Sequence, residues 1–173
     1  MLILGIDPGT AVTGYGVVRA GVTTTLVECG VIRTRPDRPL PERLREIAEG
    51  VRELIARHQP DAMAVEDVFY ARNVRTTLVL GHARGVILLA GAEAAVEIHE
   101  YPPAEIKKAI TGAGNATKTP VQFMITKLLR LKSAPQPADA ADGVAAALTC
   151  AMRQALTHAL AARTSGLATR SAR

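Results

Sequence analysis

Four acids in this chain stand where their type and spacing could do chemistry. Asp7 follows the apolar run Leu2-Ile3-Leu4-Gly5-Ile6, and Glu66 follows Ala62-Met63-Ala64-Val65. Each is therefore expected at the C-terminal end of a short buried strand, the edge at which open α/β sheets build their sites. Asp139 and Asp142 lie three residues apart in Ala138-Asp139-Ala140-Ala141-Asp142-Gly143. Three residues of helix turn the chain through about 300°, so both side chains leave one face, in a first turn that favours negative charge. Helix capping accounts for one of these acids but not for both. Four converging carboxylates repel one another unless a cation joins them. Oxygen donors with no His or Cys partner select Mg²⁺ or Mn²⁺. Two such ions per subunit, about 4 Å apart and bridged by Asp7, would activate a water and stabilise a leaving 3′ oxygen in phosphodiester hydrolysis.

The distribution of charge points to a polyanion. The 173 residues carry a net charge of +5, which is weak evidence alone. Between Asp67 and Glu93 there is no acid, while Arg72, Arg75 and Arg84 fall inside. From Glu105 to Asp139 lie Lys107, Lys108, Lys118, Lys127, Arg130 and Lys132, again without an acid. Surfaces of this kind bind nucleic acid by releasing counterions as phosphates pair with Lys and Arg.

The elements that must hold the acids follow from periodicity. Leu2–Ile6, Thr13–Arg19 and Thr23–Arg33 read as three strands of an antiparallel meander, with Gly14, Gly16 and Gly21 as punctuation. Pro39–His58 is an amphipathic helix, with Leu40, Leu44, Ile47, Val51, Leu54 and Ile55 at three- and four-residue steps. A strand over Ala62–Val65, a helix over Thr76–Ala95 and a strand over Val96–Tyr101 come next. A short helix follows Pro102-Pro103 through Ile110, and Thr111–Thr117 is a loop. Two more helices cover Thr119–Leu131 and Ala138 to about Ala162. The order implies an α/β fold with a five-stranded mixed sheet flanked by helices on both faces. Residues 1–162 form one domain, and 163–173, basic and without apolar periodicity, read as a disordered tail.

Five blocks in order resemble one known family. Ile3-Leu4-Gly5-Ile6-Asp7-Pro8-Gly9 with Thr13-Gly14-Tyr15-Gly16-Val17 is similar to the first block of RuvC-type Holliday junction resolvases. Val65-Glu66-Asp67-Val68-Phe69-Tyr70-Ala71-Arg72-Asn73 resembles the second, and Gly81-His82-Ala83-Arg84-Gly85 the helix after it. Lys118 through Val121-Gln122 and Met124 resembles the basic block, and Asp139-Ala140-Ala141-Asp142 the last. The resemblance implies a ribonuclease-H-like endonuclease that resolves four-way DNA junctions by paired symmetric cuts in recombination and repair. It implies a homodimer, presented with the junction by a branch-migration helicase complex. It assigns catalysis and metal binding to Asp7, Glu66, Asp139 and Asp142, and DNA contacts to Phe69, Lys107 and Lys118. Phe69, one of two Phe in the chain, would stack on an unpaired base or wedge the junction open. Arg72, Asn73 and Arg75 fit strand-positioning contacts. Pro120 and Phe123 depart from residues that are commonly polar in relatives.

Other classes fit less well. The Asp-x-Gly-Thr opening also meets phosphates in actin-like kinases, which need two such domains, and no Gly-x4-Gly-Lys-Ser/Thr loop occurs here. A ribonuclease-H-like enzyme acting on RNA–DNA hybrids and a non-catalytic junction binder are the remaining rivals. Cys29 and Cys150 lack metal-ligand spacing and read as free thiols of a reducing cytosol. The apolar start is too short for a signal peptide or membrane span, so a cytoplasmic protein is expected.

Overall fold

The computed structural model describes residues 1–67 and 74–168, except for the side chains of His158 and 162–168. Its elements are strands β1 (Leu2–Asp7), β2 (Val12–Arg19) and β3 (Thr25–Arg33), helix α1 (Leu40–His58), strand β4 (Ala62–Glu66), helix α2 (Val74–Glu93) and strand β5 (Glu97–Tyr101). Helices α3 (Pro103–Thr111), α4 (Lys118–Leu128) and α5 (Ala138–Ala168) complete it. The strands form one sheet in the order β3-β2-β1-β4-β5. The first three are antiparallel; β4 joins β1, and β5 joins β4, in parallel. This is the expected five-stranded mixed sheet.

Strand alternation divides the core in two. Leu4, Ile6, Val17, Met63 and Val65 point to one face, where Ile47, Val51 and Leu54 of α1 and Ala83, Ile87 and Ala90 of α2 cover them. Ile3, Val18, Ala62 and Ala64 point to the other, covered by Val144 and Leu148 of α5, Ile106 and Ile110 of α3, and Val121 and Ile125 of α4. Glycine sets the distance on that second face. A Cβ on Gly5 would stand 2.2 Å from the Gly143 carbonyl oxygen, and one on Gly16 would stand 2.4 Å from a Val144 methyl. A Cβ on Gly14 would stand 1.9 Å from the Asp139 carbonyl oxygen. Gly14 and Gly16 are therefore not strand punctuation, as expected from sequence, but interior β2 positions that let α5 lie against the backbone.

Two helices end differently from expectation. Helix α4 stops at Leu128 rather than Leu131, because Arg130 adopts a left-handed φ of 53°. The Arg130 amide then donates to the Lys127 carbonyl at 3.2 Å and the Leu131 amide to that of Thr126 at 2.9 Å. That is a Schellman closure without its usual glycine, so the sequence carries no stop signal. Helix α5 continues to Ala168, past the expected end near Ala162. Ala161, Ala162, Leu167 and Ala168 are good helix formers and need no apolar face to extend a helix already nucleated. Residues 169–173, part of the expected tail, lie outside the described residues. Among the described residues no helix is long and apolar enough to cross a membrane.

The close approach of α5 can be tested. Gly5→Ala forces a methyl group into the α5 backbone and should cost about 1–3 kcal/mol or more as overpacking. At this chain length each kcal/mol moves the melting temperature by about 2–4 °C. A variant melting with the parent in calorimetry would show that α5 does not press on β1.

Candidate active site

The register of the central strands brings the first two acids together. Ile6 pairs with Val65 across β1 and β4, so the next residues, Asp7 and Glu66, leave the strand ends side by side. Both point to the face that α5 covers. The turn after Asp7 is fixed by hydroxyls: Thr13 donates to the Gly9 carbonyl at 2.7 Å, and Thr34 to the Thr10 carbonyl at 2.5 Å. Both threonines are buried, and Arg43 donates to the Thr34 hydroxyl at 3.1 Å. Sequence reasoning passes over this clasp, although a Thr close behind an Asp-Pro-Gly turn is a recognisable candidate for it.

Helix α5 supplies the other two acids from above the sheet. Asp142 lines a cavity of about 210 Å³ together with Asp7, Glu66, Lys107 of α3 and Lys118 of α4. Pro103, Ile106, Val121 and Ala145 form its apolar wall. Asp139, one turn earlier, rests its backbone on Gly14 and is half-buried beside the cavity rather than in its lining. The expected four carboxylates are thus three in the cavity and one at its margin.

Burial and mutual repulsion act together here. The Asp7 carboxyl is pushed up to about 7, first by burial and then by the charge of Asp142, with Asp139 adding a little. Glu66 is pushed up to about 8 by burial and by the charges of Asp7 and Asp142. Lys118 opposes both shifts, and Lys107 opposes that of Glu66. The Lys118 ammonium donates to Asp142 Oδ2 at 2.8 Å, and this bond raises the pKa of the lysine. Lys118 thus serves as counter-ion to the cluster, a contact the sequence does not announce. Among the described residues no three His, Cys, Asp or Glu side chains are already gathered at coordinating distances. The donor set itself is all carboxylate oxygen, short of positive charge, and it fits a hard divalent cation.

The remaining candidates fall elsewhere. Arg75 is exposed in the first turn of α2 and lines a second cavity with Thr10, Thr76, Val79 and Leu80. Phe69, Arg72 and Asn73 lie outside the described residues. Cys29 and Cys150 are free thiols, as expected.

Comparison with known proteins identifies the family and the fold. The family model described as crossover junction endodeoxyribonuclease RuvC matches residues 3–150. A protein of that name from Desulforamulus reducens is 48% identical over 149 residues, covering 86% of this chain and 91% of the relative. The Thermus thermophilus RuvC structure superposes with a TM-score of 0.83 at 37% identity, over 91% of this chain and 97% of the other. The same protein in complex with a Holliday junction substrate superposes with a TM-score of 0.81 at 39% identity, over 86% and 92% of the two chains. Fold and sequence agree, and the chain belongs to the RuvC family of crossover junction endodeoxyribonucleases.

Proposed function

We propose that Asp7, Glu66 and Asp142, with Asp139 at their margin, hold divalent metal and hydrolyse one phosphodiester of a four-way DNA junction per subunit. The activity itself comes with family membership: the chain is a Holliday junction resolvase. The observation that carries the assignment of residues is the side-by-side exit of Asp7 and Glu66 beneath Asp142, two of the three with carboxyl pKa values raised toward neutrality. A divalent cation bound there, Mg²⁺ or Mn²⁺ and two per subunit in this reading, supplies Lewis acidity and a more acidic water.

The chain's own groups do the rest. Ionised Asp7, Glu66 and Asp142 would hold the cation. Lys118, which donates to Asp142, lines the same cavity, where its ammonium would offset charge developing on the scissile phosphate. Lys107, on the α3 side of the cavity, meets the same backbone. Phe69, Arg72, Asn73 and Arg75 are proposed to grip the strand and open the junction near the cut.

Two cuts need two sites, which a two-fold dimer supplies. The small residues of α2 divide between two faces. Ala83, Ala90 and Gly91 are buried on the chain's own sheet, where a Cβ on Gly91 would meet Met63. A Cβ on Gly81 or Gly85 would meet nothing within 4 Å, and Val74, Leu78 and Leu89 are exposed. That outward face supports a homodimer packed helix to helix. A DNA substrate is consistent with the cytoplasm as the enzyme's setting, and the family likeness supports a branch-migration helicase complex as the source of junctions.

Three outcomes test this reading. Asp7→Asn, Glu66→Gln or Asp142→Asn should lower junction cleavage by more than about 100-fold, since losing a ligand costs more than losing its outer support. Junction binding in a gel-shift assay should survive, and Asp139→Asn should show a partial loss. Full cleavage by Asp7→Asn would remove the mechanism.

The carboxyl shifts set a pH dependence. With folded values near 7 and 8 and unfolded values near 4, the native protein holds protons that the unfolded chain has released. Its stability without metal should therefore fall as pH rises from about 4 through 8. Mg²⁺, which needs the ionised carboxylates, should restore it most at the alkaline end. Calorimetry across that range checks both signs, and equal Mg²⁺ stabilisation at pH 5 and pH 8 would contradict them.

Mixed dimers of one intact and one Asp7→Asn subunit should nick one strand of a labelled junction and rarely resolve it. Efficient paired cutting by such mixtures within one binding event, or a monomer on the junction, would exclude paired sites.

A further inference from the structure

Glu66 and Asp67 are consecutive, yet they serve opposite faces of the sheet, as strand alternation requires. Glu66 enters the carboxylate cavity. Asp67 instead meets Arg84 of α2, whose Nη2 lies 3.1 Å from its Oδ1. The same Nη2 contacts the Glu100 carboxylate at the end of β5. The Asp67 amide donates to the Tyr101 carbonyl at 2.8 Å. The residue after Glu66 is thus held by its backbone to β5 and by its side chain to α2.

Glu66 needs this hold because, at its own position, β4 is paired on one side only. The pairing of β4 with β1 stops at Ile6 and Val65, whereas that with β5 continues to Glu66 and Tyr101. A small rotation at the Glu66–Asp67 peptide would swing the Glu66 carboxylate away from Asp7. Arg84 is also unlike a surface ion pair. Its side chain is only 23% exposed, and its Nε is buried without a hydrogen-bond partner among the described residues. The guanidinium reaches two carboxylates while one of its own donors goes unsatisfied, an arrangement that favours position over solvation. Both carboxylates meet one guanidinium nitrogen, so a lysine ammonium could take up part of the same arrangement.

We propose that Arg84 is a positioning residue for the reaction: by tying Asp67 to Glu100 it fixes the angle at which Glu66 enters the metal site. The inference rests on the reading of Glu66 as part of that site. It also implies that the Asp67 carboxylate is engaged by Arg84 on the face away from the cluster. Asp67 is then an anchor and not a further ligand.

The test uses the full chain with Arg84→Met, Arg84→Lys and Asp67→Asn. Mg²⁺ is titrated without DNA, with the rise in melting temperature as readout, and cleavage of a four-way junction is then followed at saturating metal. Arg84→Met should raise the Mg²⁺ midpoint and lower kcat by about 10- to 100-fold, the range for loss of an outer support to a metal ligand. KM for the junction should stay within about twofold of the parent, since Arg84, engaged with Asp67 and Glu100 and largely covered, is not part of the exposed basic surface. Arg84→Lys should recover part of the midpoint. Asp67→Asn should reproduce the loss, and combining it with Arg84→Met should add little, as for two ends of one contact.

An Arg84→Met protein that melts lower but keeps the parental midpoint and kcat would overturn the proposal, leaving Arg84 a fold residue. A higher KM with unchanged kcat and midpoint would overturn it in favour of a DNA contact. Should Arg84→Met not fold, unchanged midpoints in both Arg84→Lys and Asp67→Asn would do the same. A parent protein that Mg²⁺ fails to stabilise would overturn the metal reading and this inference together, whereas parental stabilisation unaltered in the Arg84 variants overturns the inference alone.

Discussion

The repulsion between Asp7 and Glu66 is the constraint around which this structure is arranged. Neither carboxylate can avoid the other, because the β1–β4 register that buries Leu4, Ile6, Met63 and Val65 also sets the two strand ends level. Slipping the register by one residue would part the acids but turn every apolar side chain of the strand to the wrong face. Core burial therefore enforces an unfavourable contact at its edge. Burial, and after it the charge of Asp142, makes Asp7 costly to ionise, while at Glu66 the charge of Asp7 adds to burial. A pair of strands with two apolar faces can absorb that cost, and the site retains an unmet demand for positive charge.

Glycine decides how closely α5 can answer that demand. With side chains at positions 5, 14 and 16, the helix would be held away from β1 and β2, and Asp139 and Asp142 with it. Instead the Gly143 backbone lies on Tyr15, and the first turns of α5 overhang the strand ends. The buried alanines of α5 act in the same sense, being small enough to pack flush on the sheet. Packing at the centre of the molecule is in this way converted into the position of two carboxylates at its rim.

Much of this is legible in the sequence. The strand-end acids, the paired acids of α5, the two basic stretches and the five-stranded α/β order all follow from hydrophobic period and charge. What escapes is tertiary. Gly14 and Gly16 look like strand breakers until a helix is known to lie on them. Arg130 closes α4 in a left-handed conformation that nothing in its residue type announces. The pairing of Lys118 with Asp142, 24 residues apart, is a contact that periodicity does not encode. The small residues of α2 divide between its own sheet and an outward face, a partition that residue type alone does not reveal.

On the proposed assignment, charge neutrality would join cation and substrate in this cavity. Asp7, Glu66 and Asp142 carry three negative charges when ionised, and Lys107 and Lys118 return two, leaving a net charge of −1. One divalent cation turns this to +1, and one phosphodiester brings it to zero. In a poorly solvated site that neutral sum is the favoured state, so bound cation raises affinity for the scissile phosphate and the phosphate raises affinity for the cation. A second cation would leave +2, beyond what the phosphate offsets. Asp139 at the margin would remove one of those charges and an ionised nucleophile the other. On this count the fourth acid, which the cavity itself does not include, becomes necessary only when a second cation and an ionised nucleophile are both present.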